Sequence, residues 1–256
     1  MASSTSGSDK VPVENNMTVE DIQRQGISRP ANMSSMLTLL QIADSGFPTG
    51  GFSHSMGYEA ALKKGHITNM VRFKEFVLSA MENVGSSSIP FVKAAYLNNC
   101  AMSEIEALDK LCEACLNNHV AKRASIQQGK SLISTSSEAF PDGRIKQLKV
   151  LINEDRVKGH HALMFGCLCA YVNITLNDCL EVYMYNALRT IMASAVRLGN
   201  LGPLEAQHIQ YEMQQCIGRI IERNFDSPVE DTAITFPIVD ILQNTHDTLF
   251  SRLFVS

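Results

Sequence analysis

From Met36 onward, apolar residues recur with the 3.6-residue period of an α-helix and scarcely anywhere with the two-residue period of a strand. Phe73, Phe76, Val77, Ala80, Met81 and Val84 fall at i, i+3, i+4, i+7, i+8 and i+11, one stripe of a single helix. Leu180, Met184, Ala187, Leu188, Ile191 and Ala195 repeat the stripe, with Asn177 placed to cap its start. Ile209, Met213, Cys216, Ile217 and Ile220 form a third. The one stretch with strand character, Thr232 to Val239, is interrupted by Pro237. These patterns predict an all-α fold: a single domain of roughly nine or ten helices over residues 34–256, with no repeat of fixed period.

The punctuation between stripes agrees. Gly199-Asn200-Leu201-Gly202-Pro203 reads as a helix stop followed by a restart, and Phe140-Pro141-Asp142-Gly143 as a turn. Ser88 with Pro90 two residues on predicts a new helix start, because a proline in the first turn lacks only an N–H that would go unused. Residues 1–33 are polar, aperiodic and contain Pro12 and Pro30, and are expected to be a disordered tail.

Of the 256 residues, 45% are hydrophobic and 19% charged, a globular balance with ample material for one core. A net charge of −4 indicates no general attraction to nucleic acid or anionic lipid. The longest uncharged apolar run, Ala162 to Val172, is far short of the roughly 20 residues that span a bilayer. The opening Met1 to Asp9 is rich in Ser and Thr and lacks an apolar signal core, so a cytoplasmic protein with its seven cysteines reduced is expected.

No run of residues spells out catalysis. Gly46-Phe47-Pro48-Thr49-Gly50-Gly51 lacks the Gly-Lys-Ser/Thr ending of a phosphate loop and reads as a tight interhelix link needing positive φ. Ser53-His54-Ser55 sets hydroxyls on both sides of an imidazole, but neighbouring helical side chains diverge, so His54 reads as a loop-organising or surface residue. On one continuous helix Cys112, Cys115 and His119 would share a face and suit nickel or zinc, yet Ile105, Leu108 and Leu116 make the same stripe an ordinary apolar one. His160-His161 reads as a helix start, and Cys167 and Cys169 face apart. The arginines Arg189, Arg197, Arg219, Arg223 and Arg252 are scattered without aromatic interleaving. The end is unusual: Leu249-Phe250-Ser251-Arg252-Leu253-Phe254-Val255-Ser256 is apolar and aromatic where chain ends are normally polar, and must tuck into its own core or meet a partner.

Four segments, in order, resemble the urease accessory protein F family: Phe47 to Glu59 (Phe-Pro-Thr-Gly-Gly-Phe-Ser-His-Ser-Met-Gly-Tyr-Glu), Gly159 to Gly166, Ser194 to Leu198, and Ser251 to Ser256. Phe52 stands where many bacterial members carry Tyr, and the His160-His161 pair and the Gly199–Pro203 link look closer to eukaryotic members. The resemblance implies an all-α homodimer that is not an enzyme. Such a protein joins a D/H-type accessory protein and a urease GTPase, and the assembly delivers nickel to apo-urease. Nickel and GTP would be handled by the partner complex, with no cofactor bound by this chain. By position, Phe52, His54, Ser55, Gly57 and Glu59 in the loop and Arg252, Leu253, Phe254 and Ser256 in the tail become the candidate partner-binding residues. Phe52 and Arg252 match places implicated in holding the C-terminal region for GTPase recruitment. Two rival expectations stand beside it: direct nickel or zinc binding through Cys112, Cys115 and His119, and insertion of Arg197 or Arg252 into a partner's nucleotide site.

Overall fold

A computed structural model of the chain describes residues 31–98 and 101–256, with side chains from Ser35 onward, and residues 35–256 form one compact unit. The helices are α1 (Ala31–Ala43), α2 (Tyr58–Lys63), α3 (Met70–Leu97), α4 (Met102–Cys115), α5 (His119–Ala139), α6 (Gly143–Asn153), α7 (His161–Tyr171), α8 (Leu176–Arg197), α9 (Pro203–Gln214), α10 (Ile217–Phe225) and α11 (Pro237–Asn244). Ten of them have eight residues or more, and the described residues include no strand, as the periodicity requires. The expected tail, 1–33, lies outside the described residues except for Ala31–Met33, which open α1.

The fold is organised around α7. Its sequence is apolar on every face, so it is stable only where neighbours surround it. It is buried from Ala162 to Cys169, and α3, α5 and α8 pack along it. Burying one side chain such as Phe165 or Leu168 contributes about 1.5–3 kcal/mol. Gly166 lets α3 approach closely: a Cβ there would sit 2.3 Å from the Val92 carbonyl oxygen.

Caps set the helix starts. Asn69 accepts from the Arg72 N–H, Asn118 from Val120 and Ala121, and Asp142 from Arg144, satisfying donors that a first turn leaves orphaned. Gly199 has φ 71 and ends α8, and Pro203 opens α9, as expected of that link.

Three local expectations are corrected. Ser88 does not cap a helix: α3 runs unbroken through Pro90. An internal proline costs about 3 kcal/mol, which is outweighed by burial of Ile89, Pro90, Phe91, Val92 and Ala95 in the core. Asn177 is not the cap of α8; Thr175 is, accepting from the Asp178 N–H while donating to the Asp178 carboxylate. The stripe from Ile209 to Ile220 is split, because i→i−3 bonds at Gln215 and Cys216 tighten the turn and end α9 before α10 begins. Its apolar side survives the break, with Ile209, Ile217 and Ile220 all buried.

No helix among the described residues is long and apolar enough to cross a membrane. Replacing Gly166 with Ala is expected to destabilise the protein by roughly 1–3 kcal/mol, since the clash is with backbone that cannot move aside. A thermal melt of Gly166→Ala beside Gly143→Ala, where a Cβ meets open space, checks it: the first lowers Tm by several degrees and the second does not.

Candidate functional site

The link between α1 and α2 and the last residues of the chain form one assembly, with contacts between residues 201 and 202 positions apart in sequence. Gly50 (φ 76) turns the link into a single 3-10 turn, Gly51–Ser53. Gly57 (φ 83) starts α2, and a Cβ there would lie 3.0 Å from Gln243 of α11, so only glycine fits by backbone and by space. This confirms the tight link expected from the sequence.

The tail 250–256 lies against that link as a strap that bends at Leu253 and Phe254. Leu253 N–H donates to Glu59 Oε1 at 2.7 Å and Phe254 N–H to Glu59 Oε2 at 3.1 Å. Val255 N–H donates to the Ser53 carbonyl at 2.8 Å, and Ser55 N–H to the Ser256 carbonyl at 2.6 Å. Of the strap's side chains Phe254 and Ser256 are buried, while Leu253 and Val255 are about half exposed, at 50% and 47%. Phe254 packs under the Arg197 guanidinium at 4.4 Å, and that cation also reaches the Phe52 ring at 6.0 Å and the Phe52 carbonyl. Phe52 itself is 74% exposed and Phe250 projects fully into solvent.

Charge is concentrated beneath the strap. Burial alone would raise the Glu59 pKa, but Lys63, the two strap amides and His246 outweigh it and hold the carboxyl below its ordinary value. Asp247 is held far down by a bidentate pair with Arg123, helped by His119 and Arg252. His54 is buried, and its Nδ1 lies 2.5 Å from the Ser256 hydroxyl. Burial, then the nearby Arg123 and His246, push its pKa down to about 4.

The sequence-predicted residues thus meet, but on two sides of one surface. His54, Ser55, Gly57, Glu59, Phe254 and Ser256 are buried and hold the strap, while Phe52, Arg252 and Leu253 face outward. Arg252 pairs with Asp247 at 2.6 Å, and its link to the loop runs through the strap. His54 proves to be loop-organising and buried, not a surface residue. The hydroxyls of Ser53 and Ser55 bond to the Gly50 and Ser256 carbonyls, leaving His54 to a serine that has no exposed surface. Sequence reading missed Lys63, Asp247 and Arg123; isolated charges in a polar face give no signal until the fold brings them to the strap.

The proposed metal face is not built. α4 ends at Cys115 and His119 opens α5, so the three side chains do not share a helix. Cys112 is buried, its thiol pushed up by desolvation; Cys115 is exposed; His119 is 3.2 Å from Asp247. Among the described residues no group of three His, Cys, Asp or Glu side chains is arranged to hold a metal ion. His160 stands at the start of α7, as expected, and its ring bonds Ser125 and Glu113 without capping the helix. His161 turns away from it, against Phe165 and Tyr183, into a cavity of roughly 680 Å³ that reaches the Gly46–Phe52 link.

The UreF family model matches residues 67–214, a span lying wholly between the link and the strap. Urease accessory protein F of Oryza sativa subsp. indica is 34% identical over 225 residues, 87% of this chain and 86% of the relative. Urease accessory protein F of Arabidopsis thaliana is 29% identical over 241 residues, 93% of this chain and 99% of the relative. A third relative, urease accessory protein UreF of Trichodesmium erythraeum (strain IMS101), is 26% identical over 231 residues, 88% and 99%.

The histidines make stability depend on pH. The unfolded chain protonates His54 near 6.5, whereas the folded chain resists until about 4, so unfolding takes up a proton between these values. His161, pushed down to about 4 by burial and then by His54, acts in the same direction. Stability is therefore complete above pH 6.5 and drains as pH falls toward 4. Melting temperatures measured from pH 7.5 to 4.5 should fall across this window, and less steeply in His54→Gln.

Proposed function

The chain belongs to the UreF family of urease accessory proteins, and we propose that it acts in urease maturation as a non-catalytic scaffold in the cytoplasm. In this reading it works as a homodimer that joins a D/H-type accessory protein to the urease GTPase, and the assembly delivers nickel to apo-urease. Nickel and nucleotide are bound by the partners. The observation that carries the reading is the strap: Phe254 and Ser256 hold it to the body, and Leu253 and Val255 stand outward, as do Phe52 and Phe250. Apolar and aromatic groups presented in a fixed geometry are what a protein interface uses, because rigid contacts lose less entropy on binding. This face is assigned to the D/H-type partner.

Two rivals fare less well. Direct metal binding through Cys112, Cys115 and His119 would need the chain between α4 and α5 to refold and His119 to leave Asp247. Insertion of Arg252 into a nucleotide site would need its pair with Asp247 to break, and Arg197 is held between Phe52 and Phe254.

Size-exclusion chromatography with light scattering, mixing the full chain with its D/H-type partner, tests the assignment. Wild type should form a stoichiometric complex. Leu253→Asp with Val255→Asp, both on the exposed side, should abolish it while leaving Tm within a few degrees. A complex of undiminished affinity with the doubly substituted protein would remove the strap as the contact surface.

A further inference from the structure

Glu59 is the most unusual residue of the site: an ionised carboxylate with no exposed surface, in the first turn of a helix of six residues. A partner protein cannot touch it in this conformation. Its two oxygens accept from four donors: Leu253 N–H and Lys63 Nζ at Oε1, Phe254 N–H and His246 Nε2 at Oε2. A carboxylate has about four lone-pair positions, so its whole accepting capacity is used.

We propose that Glu59 is the positioning residue of the strap: by taking two consecutive backbone amides, it docks residues 251–256 before any partner arrives and sets which of them face outward. The inference rests on the strap being the contact surface and names the residue that makes it one.

Register is the reason a carboxylate is needed. From Leu253 to Ser256 exposed and buried side chains follow one another in turn, so a slip of one residue would bury Leu253 and Val255 and expose Phe254 and Ser256. Side-chain packing alone discriminates weakly here, since both sets include an aliphatic or aromatic group. Adjacent amides fixed on the two oxygens of one immobile carboxylate allow a single register. Lys63 reinforces it from upstream, its ammonium lying 2.8 Å from Glu59 Oε1 and 2.5 Å from the Ser251 carbonyl. Apart from Phe254 and Ser256, no side chain of the strap is buried, so its docking depends on these polar contacts far more than a helix of the core does. Glutamine cannot replace Glu59. It offers one accepting oxygen and one NH₂, and in either orientation that NH₂ faces donors.

Amide hydrogen exchange on the full chain alone, at neutral pH, tests the role without reference to a partner. In wild type the Leu253, Phe254 and Val255 amides should be protected. In Glu59→Gln they should exchange at least about tenfold faster, with the amides of α7 unchanged. Persistent protection of the strap in Glu59→Gln overturns the proposal. So does its collapse together with α7, which would mean the carboxylate holds the fold and not the strap. Should Glu59→Gln not yield folded protein, Leu253→Pro withdraws one strap amide from outside the core: release of the strap with α7 intact supports the proposal, and retained protection at Phe254 and Val255 overturns it. Binding to the D/H-type partner is then read separately. A freed strap with unchanged affinity leaves Glu59 its role and removes the strap as the docking surface.

Discussion

A charge with no access to water can persist only where every lone pair is used, and Glu59 meets that condition by reaching outside its own helix. The donors come from three places: Lys63 on the same short helix, His246 after α11, and the strap. An isolated α2 of six residues would be too short to be stable in water. Its place is secured by Tyr58, buried against Phe73 and Phe76 and bonded to Asn200, and by the carboxylate that ties it to the end of the chain. Removing the carboxylate's partners would leave a buried anion, so the strap and the link depend on each other.

The rest of the protein provides the rigid frame for this contact. The apolar helix α7 sits inside a cage of α3, α5 and α8, and α8 brings Arg197 and Ser194 to the underside of the link. Arg123 on α5 holds Asp247, and Asn118, the cap of α5, holds the α11 backbone. The loop and strap therefore lie on elements anchored in the core, although the strap itself buries little. Such a division suits an accessory protein: the body resists deformation, and the presented surface is held by polar contacts that a partner can reinforce or exchange.

Much of the architecture was legible from periodicity. The stripes at Phe73–Val84 and Leu180–Ala195 form buried faces of α3 and α8, and the Gly199–Pro203 link and the turn before Gly143 lie where their chemistry placed them. Boundaries failed where tertiary burial overrode a local signal, as at Pro90, or where two caps competed, as at Thr175 and Asn177. The metal face of Cys112, Cys115 and His119 failed because spacing aligns residues only on a continuous helix, and Asn118 caps a new helix in between.

The sequence by itself determined the helical class, the need to bury α7 on all sides, the glycine turns of the link and the oddity of an apolar chain end. These depend on the residue and its near neighbours, through backbone sterics and amphipathic period. Only the tertiary structure decided that the end folds back, that Glu59 meets Leu253 and Phe254 from 194 and 195 positions away, and that Leu253 faces out while Phe254 faces in. A single glutamate in a sequence carries no record of which distant amides it will accept from. That choice is made when the packed helices bring the link and the chain end together and leave the carboxylate no water to turn to.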